Sequence, residues 1–172
     1  MLDDLTEKVQ ASQNKFEDLV SKVPGYAGYK QKEQRRAADK LLRLHVARQY
    51  EEQLRRLNEV QYALTARGRL ASIVSLERAV MKLQLLIDRI KTASYGYAGL
   101  FDAVKVDEDV LDRLYDFDLA MLEGVSELSA LLTKLSEAAD AEATTAAEAN
   151  DLIAALERLN TTFSKRHDVI LS

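Results

Sequence analysis

Residues that end or bend regular structure are scarce in this chain, which has one proline and six glycines among 172 residues. An all-β or α/β fold needs many more turns than these residues supply. Apolar residues make up 47% of the chain and charged residues 30%, a balance typical of long helices with a shared core. We therefore predict one all-α domain over residues 1–172, an elongated antiparallel bundle of about five helices with coiled-coil-like seams.

Apolar residues recur every three or four positions along five segments, which is the spacing of one helix face. Gly68 is a plausible C-terminal end of the second helix. One glycine costs only about 1 kcal/mol inside a helix, so a continuous helix over 30–94 remains an alternative. Thr145 and Glu148 have the spacing of a capping box, which predicts that the fifth helix begins there. The predicted helices cover approximately 2–22, 30–67, 70–94, 107–139 and 145–170.

The third segment is the most apolar of the five. Its main stripe is widened by four further apolar residues, Val74, Met81, Leu85 and Leu86. A helix that is apolar around much of its circumference usually touches two or more neighbours. We therefore expect this helix to be central and these four residues to extend a buried face.

The tetrapeptide Gly-Tyr-Ala-Gly occurs at 25–28 and again at 96–99, 71 residues later. Shifting the third segment by 71 places five of its six seam residues on apolar residues of the first segment. This match predicts a duplicated helical hairpin in which a helix, a Gly-Tyr-Ala-Gly turn and a second helix are used twice. The predicted turn-forming residues, which include glycines able to adopt positive φ, are Pro24, Gly25, Gly28, Gly96 and Gly99.

Four of the seven tyrosines lie at these two turns. One interpretation is structural, with the rings covering the ends of a bundle. The other is a contact surface, because tyrosine is enriched at interfaces. A basic stretch follows the first turn and could meet an anionic partner. The candidate partner-contact residues are Tyr26, Tyr29, Lys30, Lys32, Arg35, Arg36, Arg43, Tyr95 and Tyr97.

Charge is unevenly distributed along the chain. Residues 30–69 hold 11 Lys and Arg against 5 Asp and Glu, whereas residues 102–157 hold 3 against 15. The two segments can offset each other as neighbours within the fold. Alternatively, the basic segment is free to bind anionic lipid or nucleic acid.

The residues required for common catalytic and metal chemistry are missing. The chain has no cysteine, and its two histidines, His45 and His167, lack a Glu-x-x-His or His-x-x-x-His pattern. Asp116 and Asp118 are two positions apart, so they do not share a helix face, and we expect one of them to meet solvent. We predict no catalytic, cofactor-binding or metal-binding residue, and no enzyme activity.

The function that these features favour is a non-catalytic cytoplasmic adaptor, scaffold or assembly protein that binds a protein partner or itself. The N-terminus has no signal pattern, and no apolar run is long enough to span a membrane. One alternative is a protein bound to an anionic membrane surface, since the long charged helices resemble the architecture of phage-shock-protein-A-type filament formers. The net charge of −2 over residues 2–22 argues against that role. A nucleic-acid-associated helical protein is a second alternative.

Overall fold

The structure, a computed structural model, describes Lys22 and residues 32–93 and 108–171, with side chains over 40–93 and 116–165. This part of the chain contains four helices and no strand, which confirms the all-α class. The expected first helix, over 2–22, lies outside the described residues apart from Lys22, so the described helices number four rather than five. They are α1 (Lys32–Ala66), α2 (Ile73–Thr92, directly preceded by a 3-10 turn at Leu70–Ser72), α3 (Glu108–Asp140) and α4 (Ala146–Leu171).

The turn between α1 and α2 depends on Gly68. Its φ is +72°, its amide donates to the carbonyl of Thr65 at 3.0 Å, and the amide of Arg69 donates to the carbonyl of Leu64 at 2.9 Å. These two bonds define a Schellman motif, in which a residue at positive φ satisfies the last carbonyls of a helix. The predicted stop at Gly68 is therefore confirmed, and residues 30–94 do not form one continuous helix.

The turn between α3 and α4 uses the same two bonds with a different residue. Glu142 has a φ of +55°, its amide donates to Ala139 at 3.3 Å, and the amide of Ala143 donates to Ala138 at 3.0 Å. Positive φ is unfavourable for a residue with a Cβ atom. Both hairpins thus turn by one motif, although only the first has a glycine at its key position.

The start of α4 lies where the capping-box spacing placed it. The helix begins at Ala146, directly after Thr145, and Glu148 lies in its first turn. Thr145 is fully buried, and its hydroxyl donates to the hydroxyl of Ser72 at 2.6 Å. The Thr145 side chain therefore connects the start of α4 to the start of α2.

The chain divides into two compact units, each described in turn. We call the first the hairpin unit, which consists of Val46–Thr92 and Met121–Ser164. Described residues of the second unit are Lys22 and residues from 32–45, 93, 108–120 and 165–171. The prediction of a single domain over 1–172 stays a prediction.

Within the hairpin unit, α1 and α3 lie side by side and run parallel. The hydrogen bonds between them advance along both helices together, from Tyr50 with Met121, through Arg56 with Ser129, to Arg67 with Ala139. The same holds for α2 and α4, where contacts advance from Ser72 with Thr145 to Arg89 with Ser164. The contacts between the hairpins are therefore parallel, which the prediction of an antiparallel bundle did not include. Inside each hairpin, the ion pairs of Glu51 with Lys91 and of Glu127 with Arg158 join helices that run in opposite directions.

The buried positions of the two hairpins correspond. In the hairpin unit, six buried residues of α1 each have a buried counterpart in α3, 75 positions later. Four buried residues of α2 have counterparts in α4, 73 positions later, because the second turn is shorter. The pairs are Val46 and Met121, Tyr50 and Val125, Gln53 and Leu128, Leu57 and Leu132, Val60 and Leu135, Leu64 and Ala139, Leu76 and Ala149, Ala79 and Leu152, Leu83 and Leu156, and Leu86 and Leu159.

The second unit continues this correspondence. Leu42 and Phe117, 75 positions apart, are both buried, and so are their neighbours Arg43 and Asp118. Asp116 is exposed, so one of the two aspartates around Phe117 meets solvent, as expected, and the other does not.

Candidate functional site

Most of the predicted contact residues lie outside the part of the chain that the structure describes. This applies to the four tyrosines of the two Gly-Tyr-Ala-Gly turns, to Lys30, and to the predicted turn formers. Lys32, Arg35 and Arg36 lie in α1, without a described side chain. Both tetrapeptide turns, and the equivalence expected between them, stay predictions.

Arg43 is the predicted contact residue whose side chain the structure describes. It is 9% exposed, and its guanidinium donates to the backbone carbonyl of Ala93. A carbonyl at the end of α2 has no partner within its own helix, so an arginine at this point satisfies it. The structure thus places Arg43 in a contact inside the second unit.

Two arginines of the first hairpin, Arg56 in α1 and Arg67 directly after it, also make internal contacts. Arg56 donates to the hydroxyls of Ser129 at 2.8 Å and Thr133 at 3.0 Å. Arg67 donates to the carbonyl of Ala139 at 2.8 Å and lies 3.3 Å from the carboxylate of Asp140. These contacts show that, in the hairpin unit, the basic segment and the acidic segment are neighbours.

The hairpin unit leaves an apolar surface uncovered on α2. The helix buries Leu76, Leu83 and Ile90 on one side, yet Val74, Met81 and Leu85 are 67%, 70% and 52% exposed. The expectation of a buried face is therefore wrong for these three residues, whereas Leu86, the fourth residue of the set, is buried. At 3.6 residues per turn they lie on the side of α2 opposite its buried residues.

These exposed residues belong to a longer row that we call the outer stripe. Its members follow one another at intervals of four and three residues, the spacing that keeps a row on one side of a helix and forms coiled-coil seams. Two of its members, Arg78 and Asp88, are exposed and carry opposite charges. The outer stripe is Val74, Arg78, Met81, Leu85, Asp88 and Thr92.

The second hairpin shows that the fold does not require an apolar residue at these positions. The corresponding residues of α4, 73 positions later, are all exposed, and none is a large apolar residue. Val74, Met81 and Leu85 correspond to alanine, alanine and arginine. The α4 counterparts of the first five stripe residues are Ala147, Asp151, Ala154, Arg158 and Thr161.

A buried hydroxyl lies in the core of the hairpin unit. Tyr50 is fully buried, and its hydroxyl donates to the carbonyl of Met121 at 2.7 Å. Burial raises the pKa of this hydroxyl above its ordinary value, and the negative charge of Glu127 raises it further. Tyr50 therefore stays protonated near neutral pH, and its hydroxyl connects α1 to α3.

The described residues contain no group of three acidic, histidine or cysteine side chains placed to hold a metal ion.

Comparison with known proteins gave no matching family model, no matching curated protein and no matching solved structure. Among the described helices, none is long and apolar enough to cross a membrane.

Proposed function

We propose that this chain is a non-catalytic cytoplasmic assembly protein, of the adaptor or scaffold kind, that acts through helix faces. The observation that carries the proposal is the outer stripe, which gives α2 a second apolar side opposite the one in the core. Full burial of a single Val, Leu or Met side chain contributes about 1.5–3 kcal/mol. Covering Val74, Met81 and Leu85 is therefore a substantial driving force for association.

The contrast between α2 and α4 supports a binding role for the outer stripe. Both helices occupy equivalent places in hairpins with corresponding cores, and they differ on their outward sides. Alanine at positions 147 and 154 exposes little apolar area, whereas methionine at position 81 exposes a long, adaptable side chain. Apolar residues in a contiguous exposed row typically mark an interaction site.

We also infer that the two hairpins arose as a duplicated unit with one member specialised for contact. The corresponding buried positions and the two Schellman turns support this inference. The tyrosine-bearing turns at 25–28 and 96–99 are proposed as further contact sites, on the sequence argument alone.

Site-specific photo-crosslinking tests the proposed function. A benzophenone amino acid is placed at position 81 of the full chain, in cells that naturally express the protein, and adducts are separated by mass and sequenced. The matched control carries the same group at position 154, which is equally outward-facing in the second hairpin. We expect a discrete polypeptide adduct from position 81 and none from position 154. Equal labelling at both positions, or no polypeptide adduct at position 81, would contradict the proposal.

A further inference from the structure

The outer stripe is self-complementary in one orientation. Arg78 and Asp88 lie at equal distances in sequence from position 83, and so do Met81 and Leu85. If a second α2 lies antiparallel on the first with its two-fold axis at position 83, residues whose numbers sum to 166 oppose each other. Met81 then faces the partner's Leu85, and Arg78 faces the partner's Asp88.

We propose that the partner of the outer stripe is a second copy of this chain, packed antiparallel through α2. This inference rests on the proposed function and specifies the occupant of the same surface. Two Met81–Leu85 contacts form the centre of the interface, and two Arg78–Asp88 ion pairs flank it. Val74 meets the partner's Thr92 at each end. Because each residue finds its complement on an identical surface, the contact closes as a symmetric dimer.

Charge selects the antiparallel orientation over the parallel one. A parallel pair in register would place Arg78 against the partner's Arg78 and Asp88 against the partner's Asp88. Like charges at facing positions of a helix pair are unfavourable and decide which orientation forms. In the antiparallel pair each Arg78 instead faces the partner's Asp88, so both charged contacts are attractive.

The residues that border the outer stripe are compatible with this pairing. Glu77 borders one side and comes near the partner's Lys91, which has the opposite charge and also pairs with Glu51 of its own hairpin. Lys82 borders the other side and comes near the partner's Lys82, but its ammonium lies 2.9 Å from the carboxylate of Glu157. That ion pair neutralises Lys82 and holds it towards α4, away from the stripe.

The α4 surface does not offer an equivalent interface. Its counterparts to Met81 and Leu85 are Ala154 and Arg158, so no pair of large apolar residues forms at the centre. Arg158 is also already paired with Glu127 in its own hairpin. Of the two corresponding helices, α2 therefore carries the self-complementary outward row and α4 does not.

A charge-swap series on the full-length chain tests the proposal by sedimentation equilibrium. We expect a dimer for the natural chain. Arg78→Asp alone and Asp88→Arg alone each create two like-charge contacts, which raises the dimer dissociation constant about tenfold or more. The double variant, and an equal mixture of the two single variants, restore opposite charges at both flanks and recover the dimer.

The control is Asp151→Arg, an exposed charge change at the α4 position that corresponds to Arg78, which should leave association unchanged. Circular dichroism confirms that each variant keeps its helices. A monomeric natural chain would overturn the self-pairing, as would single variants that associate as tightly as the natural chain. The crosslink from position 81 tests the proposed function independently of the self-pairing. An adduct to a different polypeptide would support the proposed function and would contradict the proposal that the partner is a second copy of this chain.

Discussion

The hydroxyl oxygen of Tyr50 lies 2.6 Å from the point that a Cβ atom on Gly124 would occupy. The same hydroxyl donates to the carbonyl of Met121 in the preceding turn of α3. A methyl group of the Leu159 side chain on α4 also lies close to this point. Gly124 therefore lets α1, α3 and α4 approach closely at one position in the core of the hairpin unit.

Replacing Gly124 with alanine should destabilise the fold although alanine is the better helix former. The added methyl group collides with Tyr50 and Leu159, and overpacking of this kind costs about 1–3 kcal/mol. The gain in helix propensity is about 1 kcal/mol, so we expect a net loss, measured by urea denaturation. In a Tyr50→Phe background the hydroxyl is gone, and the penalty of Gly124→Ala should shrink. A Gly124→Ala chain more stable than the natural one would contradict the close approach.

The two Schellman turns predict opposite changes in stability for two substitutions. Introducing glycine at Glu142 should stabilise the fold, and removing glycine at Gly68 should destabilise it. Glu142 adopts positive φ, which glycine tolerates freely, so Glu142→Gly should stabilise the fold by up to about 1 kcal/mol. Gly68 adopts positive φ with no atom within 4 Å of a built Cβ, so Gly68→Ala should destabilise through backbone strain alone. We expect about 1 kcal/mol for this loss.

Thermal unfolding of both variants beside the natural chain measures this pair of effects. Glu137→Gly is the control, because it replaces the same residue type with glycine at an exposed position near the end of α3 and should destabilise the helix. A Glu142→Gly variant that unfolds at a lower temperature than the natural chain would show that Glu142 makes a contact that outweighs its strain.

The ion pair between Lys82 and Glu157 predicts a pH effect. The hydrogen bond from Lys82, its positive charge and the charge of Arg78 hold the pKa of Glu157 below its ordinary value. A lowered folded-state pKa stabilises the fold above the ordinary pKa of glutamate, and this stability is lost as the pH falls through the lowered value. The stability difference between the natural chain and Glu157→Gln should therefore shrink on acidification through that window.

Nuclear magnetic resonance titration of the Glu157 carboxylate checks the cause directly. Lys82→Gln should raise the pKa of Glu157 towards its ordinary value. Added salt should also raise this pKa, because it screens the attraction between two exposed charges. Lys134→Gln, an exposed charge change on α3, should leave the titration unchanged. An unaltered Glu157 pKa in Lys82→Gln would show that the pair does not form.

The sequence predicted the class of the fold and the first hairpin turn because those signals are local. Gly68 is a glycine at the end of an apolar periodicity, and positive φ at such a place is its common use. Glu142 gave no equivalent signal, since glutamate at positive φ is unusual and its position is imposed by the contacts of the helices it joins. The start at Ala146 was predicted from Thr145, whose hydroxyl also donates to Ser72 of the other hairpin.

The repeat was predicted at an offset that fits only part of the chain. The tetrapeptides are 71 residues apart, whereas buried residues of α1 and α3 correspond at 75, as Leu57 and Leu132 show. The two offsets differ by four residues, so a shift of 71 positions does not align the buried residues of α1 with those of α3. Side-by-side parallel packing of α1 with α3 could not be predicted, because periodicity identifies an apolar face and not the helix that covers it.

The exposure of the outer stripe could not be predicted from the sequence, for the same physical reason. Apolar residues at Val74, Met81 and Leu85 look alike in sequence whether a neighbouring helix covers them or solvent does. The signal that could have separated the two was a second row at four-and-three spacing, on the side of α2 opposite the first row. The opposite charges of Arg78 and Asp88 within that row are unusual for a buried face and typical of a seam that selects its partner.

Disulfide trapping tests the antiparallel pairing of α2 most directly, since the chain has no cysteine of its own. Full-length Met81→Cys and Leu85→Cys variants, one carrying a mass tag, are oxidised separately and as an equal mixture. In the antiparallel pair each cysteine of the mixed dimer faces the other, while in either variant alone it faces a leucine or a methionine. We predict a mixed disulfide that exceeds both single-variant products. Preferential linkage of Met81→Cys to itself would contradict the orientation, and yields no higher than those of Ala154→Cys with Arg158→Cys on α4 would contradict the interface.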